Sequence, residues 1–179
     1  MNKNIKQIVF AGGCFWCTEA VFQRLDGVKE VVPGFSGGTI KNPAYREVIT
    51  GRTGHAEAVK VVYDEEKIQL AELLEVFFGT HDPTTLNKQG NDVGTQYRSA
   101  IYYTSVEQKE QIESFVEILE KQKVFDNPIV TEIAAFTAFY EAETEHHDFY
   151  NQHTSQPYCQ FIIEPKLKKL RTYYSDKLK

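Results

Sequence analysis

Residues 5–25 read IKQIVFAGGCFWCTEAVFQRL, and this stretch decides how the fold begins. Ile5 to Phe10 is apolar and partly β-branched, which predicts a buried strand that the following pair of glycines ends. A helix is predicted from Cys14 to Leu25, and Gly27 stops it. The chain therefore opens with a strand that turns directly into a helix, and a cysteine stands at the turn.

Four later segments have the composition of strands. Strands are expected at residues 28–35 and 55–63, at residues 97–104 and within residues 129–139. Pro33 should break the first of these, since proline cannot donate to a sheet ladder. Between the strands, residues 81–96 are polar and rich in turn formers. We expect that stretch to be irregular, and an irregular stretch of this length inside a compact domain is often functional.

Three further helices are predicted from caps and periodicity. Asp64 can cap the second helix of the chain, with two glutamates in its first turn. Ser105 and Gln108 form a capping-box pattern before a charged amphipathic helix that ends near Phe125. A basic helix is expected over residues 165–179.

The first elements therefore follow the order strand, helix, strand, strand, helix, strand, which is that of a ferredoxin-like split βαβ unit. The predicted fold class is α+β: a two-layer sandwich with a mainly antiparallel sheet and long irregular segments. The 179 residues contain no repeat and no long linker, so we expect a single domain over residues 1–179.

Composition limits the classes of partner. The net charge of −5 argues against nucleic-acid binding through a basic surface. No apolar run approaches the roughly 20 residues that span a bilayer, and the first residues lack the apolar segment of a secretion signal. Three cysteines are too few for a secreted disulfide scaffold, and an odd number cannot all pair within one chain. These features favour a cytoplasmic protein, which we expect to be a monomer.

Cys14 and Cys17 carry the sharpest chemical signal. A thiol at the start of a helix faces unpaired N–H groups and the positive end of the helix dipole, which favour the thiolate. Residues three apart on a helix are neighbours, so the two sulfurs lie within disulfide reach. Two buried structural thiols, or a zinc site, are the competing interpretations. Structural zinc takes four ligands, and the sequence offers no second cysteine pair, so no metal is expected.

Two other clusters could contribute acids and phenols. Glu57 stands just inside a predicted strand, after a glycine-rich loop, where burial would raise its pKa and suit it to proton donation. Asp92 and Tyr97 stand at the junction between a loop and a strand, and Tyr45 belongs to a third, weaker cluster. By spacing alone, surface exposure is the better explanation of Glu57, and turn formation is a strong alternative for the loop that holds Asp92.

In their order along the chain, these pieces resemble one family, the peptide-methionine sulfoxide reductases of the A class. The resemblance runs from about Ile8 to the last helix. The matching stretches are GCFWC at 13–17, GFSGG at 34–38, YREV at 45–48, TGHAE at 53–57, QGNDVGTQYRS at 89–99 and QPYC at 156–159.

The resemblance implies reduction of the S-epimer of methionine sulfoxide, in proteins or as the free amino acid, without a cofactor. It implies that Cys14 is the nucleophile and that Glu57 donates a proton to the sulfoxide oxygen. Around that oxygen it places hydrogen bonds from three further side chains, and around the S-methyl group it places two aromatic rings. These residues are Tyr45, Asp92 and Tyr97 for the oxygen, and Phe15 and Trp16 for the methyl group.

The same resemblance implies that a second thiol resolves the sulfenic acid of Cys14 and that thioredoxin reduces the resulting disulfide. Cys17 and Cys159 are the two candidates. Cys17 is favoured as the first resolver because it is three residues away, and Cys159 as a second one that moves the disulfide outward. In relatives an acid and an aromatic residue usually stand where Thr144 and Glu145 precede His146 here.

Two other functions remain open from the residues alone. A thioredoxin-like disulfide oxidoreductase would explain the Cys-x-x-Cys spacing but would give Glu57, Asp92 and Tyr97 no role. A metal- or peptide-binding module would use the 23 aromatic residues as a contact surface. Release of a thioether from a sulfoxide substrate separates the reductase from both.

Overall fold

The structure is a computed structural model that describes residues 4–179, so residues 1–3, part of the segment inspected for a secretion signal, lie outside it. Six strands form one sheet and two short strands form a hairpin. The elements in chain order are β1 (Ile5–Gly12), α1 (Phe15–Phe22), β2 (Val28–Ser36), α2 (Tyr45–Val48), β3 (Ala56–Asp64), α3 (Leu70–Thr80), β4 (Lys88–Gln89), β5 (Asp92–Val93), β6 (Ser99–Tyr103), α4 (Val106–Lys121), β7 (Glu132–Ala135), β8 (Phe139–Glu141), α5 (Phe149–Gln152) and α6 (Glu164–Tyr173).

The large sheet has the strand order β7-β6-β1-β3-β2-β8. All neighbours are antiparallel except β6 and β7, which are parallel and joined through α4. This confirms an α+β fold with a mainly antiparallel sheet. The strand predicted within residues 129–139 is confirmed as β7, and a further strand, β8, begins at the last residue of that range and lies at the opposite edge of the sheet.

The short link between those edges shows that the sheet curls. In a flat sheet of six strands the two edges would lie roughly 24 Å apart. Residues 136–138 alone join β7 to β8, and a link of that length spans at most about 14 Å. The sheet therefore bends until its edges approach each other.

The two faces of the sheet bury different side chains. One face carries large residues such as Phe10, Phe35 and Ile101, which pack against the helices in the main core. The other, concave face is lined largely by small residues, and Phe136 and Phe139 cover it from the link between β7 and β8. Small residues on the inner face are what a strongly curled sheet requires.

The turn between β1 and α1 depends on Gly13. Its φ of +97° is one that residues with a side chain rarely adopt, and a Cβ atom there would lie 2.7 Å from the Gln89 side chain. Helix α1 begins immediately afterwards with Cys14 as its N-cap and ends at Phe22, short of the predicted Leu25. The sequence thus places the first cysteine at the start of a buried helix.

The helix predicted to begin after Asp64 was wrong by one and a half turns. The Asp64 side chain accepts from the Glu66 backbone N–H and closes a turn that ends β3. Helix α3 begins only at Leu70, where the Gln69 N–H donates to the Glu72 side chain at 2.8 Å. Asp64 and Gln69 both take part in hydrogen bonds typical of a helix cap, but the helix begins after Gln69. By contrast, Ser105 caps α4 as predicted, since its hydroxyl accepts from the Gln108 N–H at 3.2 Å.

Two further expectations are corrected. Pro33 does not break its strand, because β8 pairs only with Gly34–Ser36, and no β8 residue pairs with Pro33. Residues 81–96 are mainly turns, as expected, yet they include the hairpin of β4 and β5. None of the helices within residues 4–179 is both long and apolar enough to cross a membrane.

Candidate active site

Cys14 and Cys17 lie together in the first turn of α1. The Cys17 backbone N–H donates to the Cys14 carbonyl at 3.1 Å, and the two side chains are hydrogen-bonded to each other. Both are free thiols and nearly inaccessible, with 9% and 3% of their surfaces exposed. The prediction that the helix brings these two sulfurs together is confirmed.

The two thiols ionise differently because their surroundings differ. Burial, the hydrogen bond with Cys17 and the charge of Glu57 raise the pKa of Cys14 well above its usual value. The expected effect of the helix start is therefore outweighed. The hydrogen bond from Cys14, the charge of Lys166 and a bond to Tyr158 together lower the pKa of Cys17 to about 7, against its burial. Because the two thiols interact directly, the first proton is lost from the pair as a unit.

Glu57 is buried at the start of β3, with 1% of its surface exposed. Its Oε1 atom accepts from the Phe15 backbone N–H at 3.1 Å, next to Cys14 in the chain. Its Oε2 atom is buried and has no hydrogen-bond partner. Burial raises the pKa of Glu57 to about 8, and the charge of Asp92 adds to this, while the Phe15 N–H opposes it. The interpretation of Glu57 as an exposed glutamate is excluded.

Tyr45 and Tyr97 face the same two groups from different elements. Tyr45 begins α2, and Tyr97 ends a single helical turn before β6. Burial raises the pKa of each phenol, and the charges of Glu57 and Cys14 raise it further. Both phenols therefore stay protonated near neutrality and remain able to donate a hydrogen bond.

Asp92 lies on the other side of the thiols, in β5. It accepts from the Tyr158 hydroxyl at 2.9 Å, and that hydroxyl lies 3.6 Å from the Cys17 sulfur. Cys14, Cys17, Asp92, Tyr158 and Lys166 are among the residues that line a cavity of about 150 Å³. The structure thus brings both predicted thiols and Asp92 to one cavity.

Phe15 and Trp16 differ in exposure. Phe15 is fully buried and packs on Phe35 and Tyr45 at centroid distances of 5.6 and 6.0 Å. Trp16 is half-buried, stacks on Phe149 with ring centroids 3.7 Å apart, and meets Tyr158 edge-on. Only Trp16 offers an accessible ring, and Phe15 supports the site from the core.

Cys159 is completely buried, and it begins a widened helical turn, Cys159–Ile163, that continues into α6. The Phe-Ile-Ile run at residues 161–163 is helical, with Ile163 buried and Phe161 75% exposed. Burial raises the pKa of the Cys159 thiol above its usual value.

A buried histidine supports the loop that leads to Glu57. Nδ1 of His55 accepts from the Gly38 backbone N–H at 3.0 Å, so Nε2 carries the proton and donates to the Ile40 carbonyl at 2.6 Å. These bonds join the loop before β3 to the loop after β2. The glycines and the histidine of the TGHAE and GFSGG stretches therefore shape the backbone beside the acid.

Glu143, Glu145 and His146 are a candidate ligand group, with one ligand atom of each inside a 4.8 Å cluster. Both glutamates are exposed, and His146 already accepts a hydrogen bond from Trp16. Glu143 instead accepts from the Tyr45 backbone N–H at 3.2 and 3.3 Å, which fixes the start of α2. We therefore assign no metal to this group.

Four residues of the site had no role in the sequence analysis. Tyr158 stands in the QPYC stretch, where its position before a cysteine was the available signal. The ring of Phe149, the imidazole of His146 and the ammonium of Lys166 reach the site only through the path of the C-terminal segment, and no local pattern indicates that path.

Comparison with known proteins agrees with this arrangement. The family model "Peptide methionine sulfoxide reductase" matches residues 6–178. "Peptide methionine sulfoxide reductase MsrA" of Trichodesmium erythraeum is 53% identical over 171 residues, which cover 96% of this chain and 97% of that protein. Among solved structures, "Methionine sulfoxide reductase A" of Corynebacterium diphtheriae is 36% identical with a TM-score of 0.81, and covers 86% of this chain and 77% of its own.

A more distant structure, Mxr1 of Saccharomyces cerevisiae in complex with Trx2, is 24% identical with a TM-score of 0.57, and the match covers 83% of this chain and 87% of that one. This likeness shows that Mxr1 shares the fold of this chain. The family model, which matches residues 6–178, and the 53% identity to the Trichodesmium relative carry more than the fold. They show that the chain belongs to the peptide methionine sulfoxide reductases of the MsrA type, enzymes that reduce methionine sulfoxide to methionine.

Proposed function

We propose that Cys14 is the nucleophile of this sulfoxide reduction and that Glu57 is its acid. One observation carries the proposal: a buried carboxyl group with a pKa of about 8 and one unpartnered oxygen lies beside the Cys14 thiol. A sulfoxide sulfur becomes electrophilic only when its oxygen gains a proton or strong hydrogen bonds. An acid that remains protonated at neutral pH suits that requirement.

The first half-reaction balances with the groups present. The Cys14 thiolate attacks the sulfoxide sulfur and forms an S–S bond while the Glu57 proton passes to the sulfoxide oxygen. The hydroxyl group then passes from the substrate sulfur to the Cys14 sulfur: the substrate's S–O bond and the S–S bond break, the thioether leaves with its electron pair, and Cys14 is left oxidised as a sulfenic acid. A charged Glu57 opposes formation of the Cys14 thiolate. When Glu57 keeps its proton this repulsion is absent, so a protonated acid and an ionised thiol can coexist in one site.

We infer that Tyr45 and Tyr97 donate hydrogen bonds to the sulfoxide oxygen, because both phenols stay protonated and face Glu57 and Cys14. Asp92 would act on the same oxygen or its catalytic water through its position at the cavity. Trp16 and the buried Phe15 behind it would form the pocket for the S-methyl group. Contacts between sulfur and aromatic rings are worth about 0.3–1.5 kcal/mol.

Cys17 is proposed as the first resolver. Its thiolate attacks the Cys14 sulfenic sulfur, an S–S bond forms, and hydroxide leaves and takes a proton to become water. Its pKa of about 7 and its bond to Cys14 support this order. Cys159 is buried with a raised pKa, so its attack follows only after the segment around it moves.

Thioredoxin is the proposed reductant, since a disulfide product needs an external dithiol and a yeast protein of the same fold has been solved with Trx2. We further propose the S-epimer as substrate, protein-bound or free, and hence repair of oxidised proteins. The enzyme is proposed to be a cytoplasmic monomer with one domain over residues 1–179. The order β6-β1-β3-β2, all antiparallel, supports a ferredoxin-like unit at the centre of the curled sheet.

Single-turnover chemistry tests the nucleophile. Cys14→Ser should release no thioether from a methyl sulfoxide substrate, because a hydroxyl ionises far less readily than a thiol and is a much weaker nucleophile toward sulfur. Thioether formed by this variant in one turnover would contradict the assignment.

Thiol counting and peptide mapping after one equivalent of sulfoxide test the resolver. Wild-type enzyme should first yield the Cys14–Cys17 disulfide, and Cys17→Ser should accumulate the sulfenic acid. The order is wrong if Cys17→Ser forms a disulfide at the wild-type rate while Cys159→Ser stalls as sulfenic acid.

A further inference from the structure

His146 lies at the centre of an aromatic cluster beside the thiols. It ends the short helical turn Thr144–His146 and is buried, with 6% of its surface exposed. Its ring centroid lies 4.2 Å from that of Tyr45, 5.5 Å from that of Phe15 and 5.9 Å from that of Trp16. Three of the residues proposed to bind the substrate therefore touch this one ring.

The contact with Trp16 is a directed hydrogen bond. The Trp16 Nε1–H group lies 3.2 Å from Nδ1 of His146. An indole N–H can only donate, so Nδ1 must accept and the neutral imidazole carries its proton on Nε2. Burial lowers the pKa of His146, which favours this neutral form, although the nearby charges of Glu143 and Glu145 act in the other direction.

The other contacts of Trp16 do not fix the direction of its N–H edge. Phe149 stacks on the indole with an interplanar angle of 6°, and Tyr158 meets it edge-on at 82°. A parallel stack holds the plane of a ring but tolerates rotation within that plane. The hydrogen bond to His146 removes this freedom, because it gives the indole one orientation.

We propose that His146 is a positioning residue, whose Nδ1 atom holds the Trp16 indole in the orientation that presents its exposed part to the substrate's S-methyl group. The inference rests on the proposed role of Trp16 in that pocket. His146 itself touches no reacting atom in this arrangement. It acts by pre-organising the pocket, so its loss should weaken substrate binding more than it slows the chemical step.

The test compares two substitutions that differ in one property. His146→Asn retains a side-chain acceptor near the position of Nδ1, whereas His146→Phe retains an aromatic ring without an acceptor. His146→Leu replaces the Phe variant if that protein does not fold. We expect the variants without an acceptor to raise KM by roughly 2- to 10-fold with little change in kcat, as the loss of one hydrogen bond implies. The Asn variant should restore most of the lost affinity.

Fluorescence gives a second readout that does not depend on turnover. Trp16 is the only tryptophan of the chain, so the intrinsic emission reports this indole alone. The emission maximum should change in His146→Phe and return toward the wild-type value in His146→Asn. His153→Phe is the matched control, because His153 stacks on Phe149 at 4.1 Å and its ring makes its hydrogen bond to the Phe149 carbonyl.

The outcomes separate this inference from the proposed pocket. If Trp16→Phe raises KM and His146→Phe leaves both KM and emission at wild-type values, His146 does not position the indole. Equal behaviour of the Asn and Phe variants would also overturn the proposal, since the acceptor would then be irrelevant. If Trp16→Phe itself leaves KM unchanged, the pocket assignment is wrong and the proposal is overturned with it.

Discussion

Glu57, in β3 beside the start of α1, and Glu19, within α1, are two buried glutamates with 1% and 3% of their surfaces exposed. Burial raises the pKa of Glu57 to about 8 and that of Glu19 to about 7. Their partners differ. Both oxygens of Glu19 accept from the Asp148 backbone N–H, at 2.9 and 3.0 Å, whereas Glu57 leaves one oxygen without a partner beside Cys14.

The difference teaches that a raised pKa alone does not identify a catalytic acid. Glu19 anchors the segment that carries Asp148, a residue with a left-handed φ of 56°, to the first helix. Its oxygens are occupied and face no thiol. Glu57 combines a retained proton with an oxygen that has no hydrogen-bond partner beside Cys14, the proposed nucleophile, and it is this combination that can serve a reaction.

The largest expected effect separates the two carboxyl groups by rate. Glu57→Gln keeps the shape and the bond to the Phe15 N–H but cannot transfer a proton. It should lower the rate constant of the reductive half-reaction by roughly 10²–10⁴. Glu19→Gln, the matched control, should remain close to the wild-type rate. Rapid-quench measurement of thioether release at saturating sulfoxide gives both rate constants. A wild-type rate in Glu57→Gln would show that Glu57, like Glu19, is not the acid.

The second prediction concerns the free energy of unfolding. A carboxyl group with a folded pKa near 8 and an unfolded pKa near 4.5 loses stability as pH rises between these values. The amide of Glu57→Gln has no such cost, so this variant should be more stable than the wild type by about 3 kcal/mol at pH 7. The gap should vanish below about pH 4.5. Denaturant titrations at several pH values measure it, and a gap that does not depend on pH would contradict the buried-acid interpretation.

Glu19 should show the opposite sign when its acceptors are removed. Below about pH 4.5, where Glu19 is protonated in the folded and the unfolded state, Glu19→Leu leaves the Asp148 N–H without this partner and should lower the free energy of unfolding relative to the wild type by about 1–3 kcal/mol. Glu19→Gln retains one acceptor oxygen and should recover most of this loss. Chemical denaturation of both variants at one pH gives the comparison, and equal stability of the Leu and Gln variants would show that Glu19 anchors nothing.

The smallest expected effect is a pH dependence. Glu57, with a pKa of about 8, must be protonated to act, whereas Cys14, whose pKa is raised well above its usual value, must be ionised. The rate of the first half-reaction should therefore rise with pH up to about 8 and then level off, because the thiolate gained offsets the acid lost. Glu19→Gln should keep this profile, and the residual rate of Glu57→Gln should go on rising above pH 8. Single-turnover rates between pH 6 and 10 are the measurement. A levelling near pH 8 that persists in Glu57→Gln would have to be assigned to another group.

Local patterns predicted the elements whose signals lie within one segment. The run from Ile5 and the glycine pair placed β1 and α1, and Ser105 placed the start of α4. Asp64 misled because two residues with capping chemistry, Asp64 and Gln69, follow β3, and only the packing of α3 chooses between them. β8 was missed because it pairs with β2, far away in the chain, and no local signal encodes that pairing.

The residues of the site also divide into those that local spacing predicts and those that depend on the complete fold. Helical spacing was sufficient to place Cys17 next to Cys14. Burial of Glu57 could not be derived from spacing, and only the family resemblance pointed to it. His146 and Tyr158 depend on how the C-terminal segment crosses the start of α1, which is a property of the complete fold.

Strand β8, which the three-residue link joins to β7, also bears on the order in which the protein folds during synthesis. Gly34 pairs with Glu141, more than a hundred residues later, and pairings of such separation form slowly. During synthesis β2 leaves the ribosome long before β8, so the sheet edge next to β2 waits for its partner. Glu143, His146 and Tyr158 follow β8 in the chain and reach the thiols only once that edge is filled. A nascent chain thus carries Cys14 without its surroundings, and reductase activity should appear only when translation is nearly complete.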